Sequence, residues 1–138
     1  MASDALGPAM PNVTLLAFDF GLQRIGVAVG NTFLRQATAL TVVSGSSSQA
    51  KFNVIEALLK EWQVSHCIVG VPCHPDGAEH AMTVRCRRFA HQLEGRYGVT
   101  TSLVDERYSS AVIAARRGEV IDAKAAAIIL QQYFDETL

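Results

Sequence analysis

The spacing of apolar residues first changes between residues 43 and 51. Before that point the apolar residues form three short runs, VTLLAFDF at 13–20, RIGVAVG at 24–30 and QATALTVV at 36–43. The first run is almost continuously apolar, which predicts a strand buried on both faces. The third run alternates polar and apolar residues, which predicts a more exposed strand. Only residues 21–23 separate the first two runs, so we expect a hairpin there.

After residue 51 the apolar residues recur at the spacing of an α-helix. One such face over 51–62 predicts a helix and consists of Phe52, Ile55, Leu58, Leu59 and Trp62. Further helices are predicted over 82–97, ended by Gly98, over 109–118 and over 123–134. Two short apolar runs between them, HCIVGVP at 66–72 and TTSLVDER at 100–107, predict a fourth and a fifth strand.

The predicted order is therefore β-β-β-α-β-α-β-α. Neighbouring strands at the start pair as hairpins, and the later strands alternate with helices. This order predicts an α/β fold with a mixed five-stranded sheet, the first three strands antiparallel and the others parallel, and helices on its faces. We expect one domain over 13–138, preceded by a flexible extension over 1–12.

Composition narrows the possible classes of protein. The 138 residues are 49% hydrophobic, which excludes a disordered chain, and the net charge of −1 argues against a strongly basic coat on nucleic acid. Nine of the twelve basic residues are arginine, so a local phosphate-binding patch is still compatible with this charge. Three cysteines without CxxC spacing, no signal peptide and no membrane-length apolar run predict a cytoplasmic protein that does not enter a membrane.

Acidic residues stand where buried elements end. Asp19 ends the first strand, Asp105 and Glu106 end the fifth, and Asp122 starts the last helix. Ligands of α/β sheets gather beyond the carboxyl ends of the parallel strands, and clustered carboxylates there usually hold a cation. Oxygen ligands favour Mg²⁺ or Mn²⁺.

Each of these acidic residues has a simpler structural interpretation. Asp19 could accept hydrogen bonds from turn amides, although Gly21 leaves room for a ligand to approach the backbone. Asp105 and Glu106 are adjacent on a strand, so only one of them can face the crevice. Asp122 is as well placed to cap the last helix as to bind a ligand.

Five segments together resemble the YqgF/RuvX family of RNase H-like proteins, which is named for Holliday junction resolution and for pre-16S rRNA cleavage. They are LLAFDFGLQRIGVAVGN, IVGVP followed by DGAE, RRFAHQL, VDERYSS and DAKAAAIIL. The resemblance covers nearly the whole chain from residue 13. One feature departs from the family pattern, because only a short stretch, SSAVIAARRGEVI, separates the DER strand from the last aspartate.

The resemblance implies a divalent-metal-dependent nuclease with Mg²⁺ or Mn²⁺ held by Asp19, Glu106 and Asp122. It also implies phosphate contacts from four arginines, Arg24, Arg107, Arg116 and Arg117. The implied substrate is nucleic acid, with 5′-end processing of pre-16S rRNA favoured and branched DNA the alternative. We expect a monomer or weak homodimer.

Two other functions compete with the nuclease. One is a nucleic-acid-binding or ribosome-associated protein that keeps the fold without the reaction, which the neutral charge and the short stretch favour. The other is an ATP-binding module, which would need a second such domain. Arg85, Arg87 and Arg88 on the second helix are expected to form a solvated face rather than an RNA-binding patch.

Overall fold

The computed structural model describes residues 13–72, 81–106 and 123–137, with the backbone alone for Pro72 and Glu106. These residues form five strands and three helices. In chain order they are β1 (Thr14–Phe20), β2 (Arg24–Asn31), β3 (Ala37–Ser44), α1 (Ser48–Glu61), β4 (His66–Pro72), α2 (Ala81–Tyr97), β5 (Thr100–Glu106) and α3 (Ala123–Thr137). The predicted extension over 1–12 and the predicted helix over 109–118 lie outside the described residues.

The five strands form one mixed sheet in the order β3-β2-β1-β4-β5. β1 pairs antiparallel with β2, and β2 pairs antiparallel with β3. β4 is parallel to both β1 and β5. The predicted fold class is confirmed, including the change from antiparallel to parallel pairing. β1 lies at the centre of the sheet, which explains its nearly continuous apolar sequence.

Helices cover both faces of the sheet, and alternate residues of β1 contact different helices. Leu16 and Phe18 pack with α1 and α2 in one buried cluster. Leu15 and Ala17 pack with α3 in the other. Successive side chains of a strand point to opposite faces, so these two sets define the α1–α2 face and the α3 face of the sheet.

Local capping determines where two helices begin or end. α1 starts three residues earlier than the apolar periodicity indicates, because the Ser47 side chain accepts a hydrogen bond from the Ala50 N–H at 3.1 Å. α2 ends at Gly98, whose φ of +68° is a conformation that favours glycine. Its N–H donates to the Glu94 carbonyl at 2.9 Å. α3 continues to Thr137, three residues beyond the prediction.

Within the described ranges, none of the helices combines the length and the apolar character that crossing a membrane requires.

Candidate active site

Asp19 occupies the last position but one of the central strand. Its side chain is only 1% exposed, although it carries a carboxylate. Residues two apart on a strand point to the same face. Leu15 and Ala17 pack against α3, so the Asp19 side chain also lies on the α3 face. The side chain interacts with a neighbour, and its buried Oδ2 atom accepts no hydrogen bond from the described residues. A buried carboxylate is costly unless polar or cationic groups stabilise it, so this position has a specific chemical environment.

Two glycines flank Asp19 on the sheet. On β2 its direct partner is Gly26. On β4, Val69 pairs with Phe18. The residue after Val69 is Gly70, so Gly70 lies beside Asp19. Neither residue has a side chain to cover the α3 face beside the carboxylate. Glycine inside a strand often marks the close approach of a ligand or another backbone. The sequence analysis missed this pair, although both glycines interrupt otherwise apolar strands.

The alternation of β5 separates Asp105 from Asp19. Val104 packs in the α3-face cluster together with Ala17. Asp105, the next residue, is exposed and lies on the opposite face. Glu106 occupies the last register position of β5, opposite Pro72, two residues beyond Val104. β4 lies between β1 and β5, so the backbones of these two strands are about 10 Å apart across the sheet.

The C-terminal half of α3 contacts several strands of the sheet. A Cβ atom on Gly30 would lie 3.1 Å from Leu130 Cδ2, and Gln131 accepts a hydrogen bond from the Ala37 N–H at 3.2 Å. The ring of Tyr133 lies 5.8 Å from that of His66. These partners lie at the amino end of β1, whereas the Gln132 Nε2 atom donates to the Asp105 carbonyl of β5 at 2.9 Å. The C-terminal half of α3 therefore reaches across the sheet from β3 to β5. Asp122, the residue before α3, lies outside the described residues.

One of the four predicted phosphate-binding arginines lies within the described residues. Arg24 is the first residue of β2 and is exposed. The next residue, Ile25, is buried on the α1–α2 face and pairs with Phe20. Adjacent residues of a strand point to opposite faces, so Arg24 lies on the α3 face, the same face as Asp19. Arg107, Arg116 and Arg117 lie outside the described residues.

The described part of the chain contains no group of three His, Cys, Asp or Glu side chains that could hold a metal ion. Of the three predicted ligands, Asp19 is the one whose side chain is described. A buried carboxylate between two glycines suits a hard cation such as Mg²⁺ or Mn²⁺, which prefers oxygen ligands. The donor chemistry at Asp19 therefore fits the predicted metal.

Solved structures show which fold this chain has. RuvC of Thermus thermophilus in complex with a Holliday junction substrate has a TM-score of 0.55 and 17% identity, covering 90% of this chain and 94% of that one. A second Thermus thermophilus RuvC structure has a TM-score of 0.52 and 16% identity, covering 90% and 95%. The chain therefore has the RNase H-like fold of RuvC, as the sequence predicted.

Sequence comparison assigns the family within that fold. The model of the RuvX family, described as Holliday junction resolvase, matches residues 13–136. A Paraburkholderia phytofirmans protein named "Putative pre-16S rRNA nuclease" is 47% identical over 134 residues, 93% of this chain and 92% of its own. A Cupriavidus necator protein of the same name is 47% identical over 137 residues, 96% of each chain. This chain belongs to the RuvX family, which confirms the predicted family and enzyme class.

Proposed function

We propose that this protein is a divalent-metal-dependent nuclease that hydrolyses phosphodiester bonds during 5′-end processing of pre-16S rRNA. Family membership and the names of the relatives support the choice of reaction and substrate. The observation that carries the proposal is the buried Asp19 carboxylate between Gly26 and Gly70, at the carboxyl end of the central strand. The proposal places the enzyme in the cytoplasm as a monomer or weak homodimer, with Mg²⁺ or Mn²⁺ as cofactor.

Asp19, Glu106 and Asp122 would hold the metal. Asp19 belongs to the central strand of the sheet, where it pairs with Gly26 of β2 and directly follows Phe18, the last residue of β1 that pairs with β4. Glu106 ends a strand parallel to β1, and Asp122 immediately precedes α3. When bound, the divalent ion supplies Lewis-acid stabilisation of the charge on the phosphoryl group.

The arginines would orient the substrate at this edge of the sheet. Arg24 is exposed on the face of Asp19, where its guanidinium can bind two phosphate oxygens at once. Arg107, Arg116 and Arg117 would provide further phosphate contacts. The buried apolar strands behind Asp19 exclude water from one side of the carboxylate.

Two substitutions on opposite faces of the sheet test the proposal. In a cleavage assay with Mn²⁺ and a 16S rRNA precursor, we expect Asp19→Asn to lower the rate by more than about 100-fold, which corresponds to several kcal/mol of transition-state stabilisation. Asp105→Asn removes an equal charge from the other face and should retain the rate. Equal activity of Asp19→Asn and wild type would refute the assigned site.

Calorimetry separates loss of metal from loss of reaction. We expect Mn²⁺ to bind wild type and Asp105→Asn with similar affinity, and Asp19→Asn at least about tenfold more weakly. A wild-type protein that binds no Mn²⁺, even with RNA present, would contradict the metal mechanism. The protein would then be a nucleic-acid-binding protein on a nuclease fold.

Branched DNA is the second candidate substrate, because the family model carries the description of a Holliday junction resolvase. The same variants should be assayed on a four-way DNA junction under the conditions used for the RNA. Faster cleavage of the junction than of the rRNA precursor would replace the proposed substrate while retaining the proposed site.

A further inference from the structure

A cavity lies on the opposite side of β1 from the Asp19 carboxylate. It is bounded by Phe20 and Leu22 at the end of β1, by Lys51 and Phe52 of α1, and by Phe89 and Gln92 of α2. We call it the Phe20 cavity. Phe20 directly follows Asp19, so the candidate active site and the Phe20 cavity meet at the same edge of the sheet.

The Phe20 cavity has the size and lining for one planar ring system. Its volume is about 130 Å³. For comparison, an engineered apolar cavity of about 150 Å³ in another protein holds benzene. The rings of Phe20 and Phe89 are 4.9 Å apart and tilted by 33°, and the rings of Phe52 and Phe89 are 5.8 Å apart. Phe89 and Phe52 are buried, and Phe20 is the partly exposed ring of the three. Phe20 therefore presents the ring face on which an unstacked base can stack, with little dependence on sequence.

Polar and basic groups border this aromatic lining. The Lys51 ammonium donates to the Leu22 carbonyl at 2.7 Å, and an ammonium group has two further hydrogens to donate. Gln92 contributes an amide that can both donate to and accept from the edge of a base. Arg88 and Arg85, one and two helical turns before Gln92, are exposed. Among the described residues, no acidic side chain lines the cavity.

We propose that the Phe20 cavity binds a single unpaired nucleobase of the substrate strand, next to the phosphodiester bond that is cleaved. The Lys51 ammonium at its border can pair with a phosphate of such a strand. A base pair is too large for the cavity, so the substrate must be single-stranded or locally opened there. The position relative to the cleaved bond rests on the proposed nuclease function, whereas the binding of the base does not.

The direct test uses short single-stranded RNAs that carry 2-aminopurine at successive positions. The fluorescence of this base rises when it leaves the stack of its neighbours. All proteins carry Asp19→Asn so that the probe stays intact. We expect the fluorescence to rise at one position, and Phe20→Leu to weaken binding by about 5-fold or more, the lower limit for loss of one base–aromatic stack.

Two variants distinguish stacking from packing. Phe20→Tyr keeps the ring and should retain the affinity. Phe33→Leu alters a phenylalanine that is 78% exposed at the other end of β2 and should also retain it. Melting temperatures show whether Phe20→Leu remains folded. No fluorescence change at any position, or unchanged affinity of a folded Phe20→Leu variant, would overturn the inference.

The outcomes for the two proposals are separable. If the base enters the Phe20 cavity but wild-type protein cleaves neither RNA nor DNA, the nuclease proposal fails and the base-binding site stands. If wild-type protein cleaves the rRNA precursor and the Phe20→Leu variant binds the probes as tightly as the protein that retains Phe20, the nuclease proposal stands and the base-binding site fails.

Discussion

Gly30 lies near the end of β2, where the chain leaves the sheet beneath α3. A Cβ atom at this position would lie 2.6 Å from the carbonyl oxygen of Gln36 and 3.0 Å from a ring carbon of Phe134. The first contact involves backbone, which cannot rotate away as a side chain can. The absence of a side chain at Gly30 therefore allows the β2–β3 connection to pass close beneath α3.

Gly30→Ala should consequently lower the free energy of unfolding by about 1–3 kcal/mol, the usual cost of overpacking. Gly95→Ala is the matched control, because a Cβ atom there would meet nothing within 4 Å. Gly95 lies within α2, so alanine should stabilise the protein by about 0.5–1 kcal/mol through its higher helix propensity. Urea unfolding of both variants measures the two effects, and equal shifts would contradict the assigned role of Gly30.

His66 introduces a dependence of stability on pH. Its Nε2 atom lies 2.7 Å from the Ser102 hydroxyl, and its ring contacts that of Tyr133. Burial lowers the pKa of His66 below its usual value of 6.5. The unfolded chain therefore takes up this proton before the folded protein does as the pH falls. The stability that depends on neutral His66 is complete above pH 6.5 and is lost as the pH falls through the lowered folded-state pKa.

We therefore expect the melting temperature to fall between about pH 7 and about pH 5, and to fall less steeply in His66→Gln. His91→Gln changes an exposed histidine of α2 and should keep the wild-type slope. Thermal melts followed by circular dichroism at several pH values test this. A slope that is the same in His66→Gln and wild type would assign the pH dependence to other groups.

At the level of elements, the start of α1 depends on one side chain. Ser47 caps the helix through the bond from the Ala50 N–H to its hydroxyl. Because the first turn of α1 lines the Phe20 cavity, this cap also positions Lys51 and Phe52. The same hydroxyl therefore contributes to the stability of the helix and to the geometry of the cavity.

Ser47→Ala should lower the free energy of unfolding by about 1 kcal/mol, the typical loss on removing a serine cap. Ser46→Ala, in the loop before it, should have no measurable effect. Chemical unfolding of the pair tests the assignment. Equal loss in both variants would indicate a general effect of the loop rather than of the cap.

At the level of the whole molecule, charge is distributed without a large excess of either sign. The net charge is −1, so nucleic acid is not attracted over long distances by the protein as a whole. Basic groups are instead local, with Arg24 on the α3 face, Lys51 at the Phe20 cavity, and Arg85 and Arg88 exposed on α2. Binding should therefore involve few phosphates.

For single-stranded RNA, each neutralised phosphate adds about −0.7 to the slope of log affinity against log salt concentration. If Lys51 and the four proposed arginines each neutralise one phosphate, we expect a total slope of about −3.5, and a slope shallower by about 0.7 in Lys51→Ala. Lys60→Ala, whose ammonium pairs with Glu56 at the far end of α1, should not change it. Titrations at several salt concentrations measure the slope. A much steeper value would reveal a larger basic surface.

The amino-acid sequence alone predicted the described elements and the position of one critical residue. Strand and helix periods are local properties, so the described strands agree with the prediction to within one residue. The apolar run ending in Asp19 identified a carboxylate at the end of a buried strand for the same reason. The family motifs then supplied Glu106 and Asp122, whose roles remain predictions.

The tertiary structure decided what surrounds Asp19. Only strand pairing shows that Gly26 and Gly70 flank the carboxylate, because β4 is more than forty residues away from β1 along the chain. The alternation of side chains along β5 shows that Asp105 and Glu106 point to opposite faces, but not which residue points to which face. The packing of Val104 against α3 shows that Asp105 points to the other face. The Phe20 cavity likewise requires β1, α1 and α2 to come together. Residues that are distant along the chain come into contact only when the elements pack together. Local sequence patterns do not show which distant residues will make such contacts.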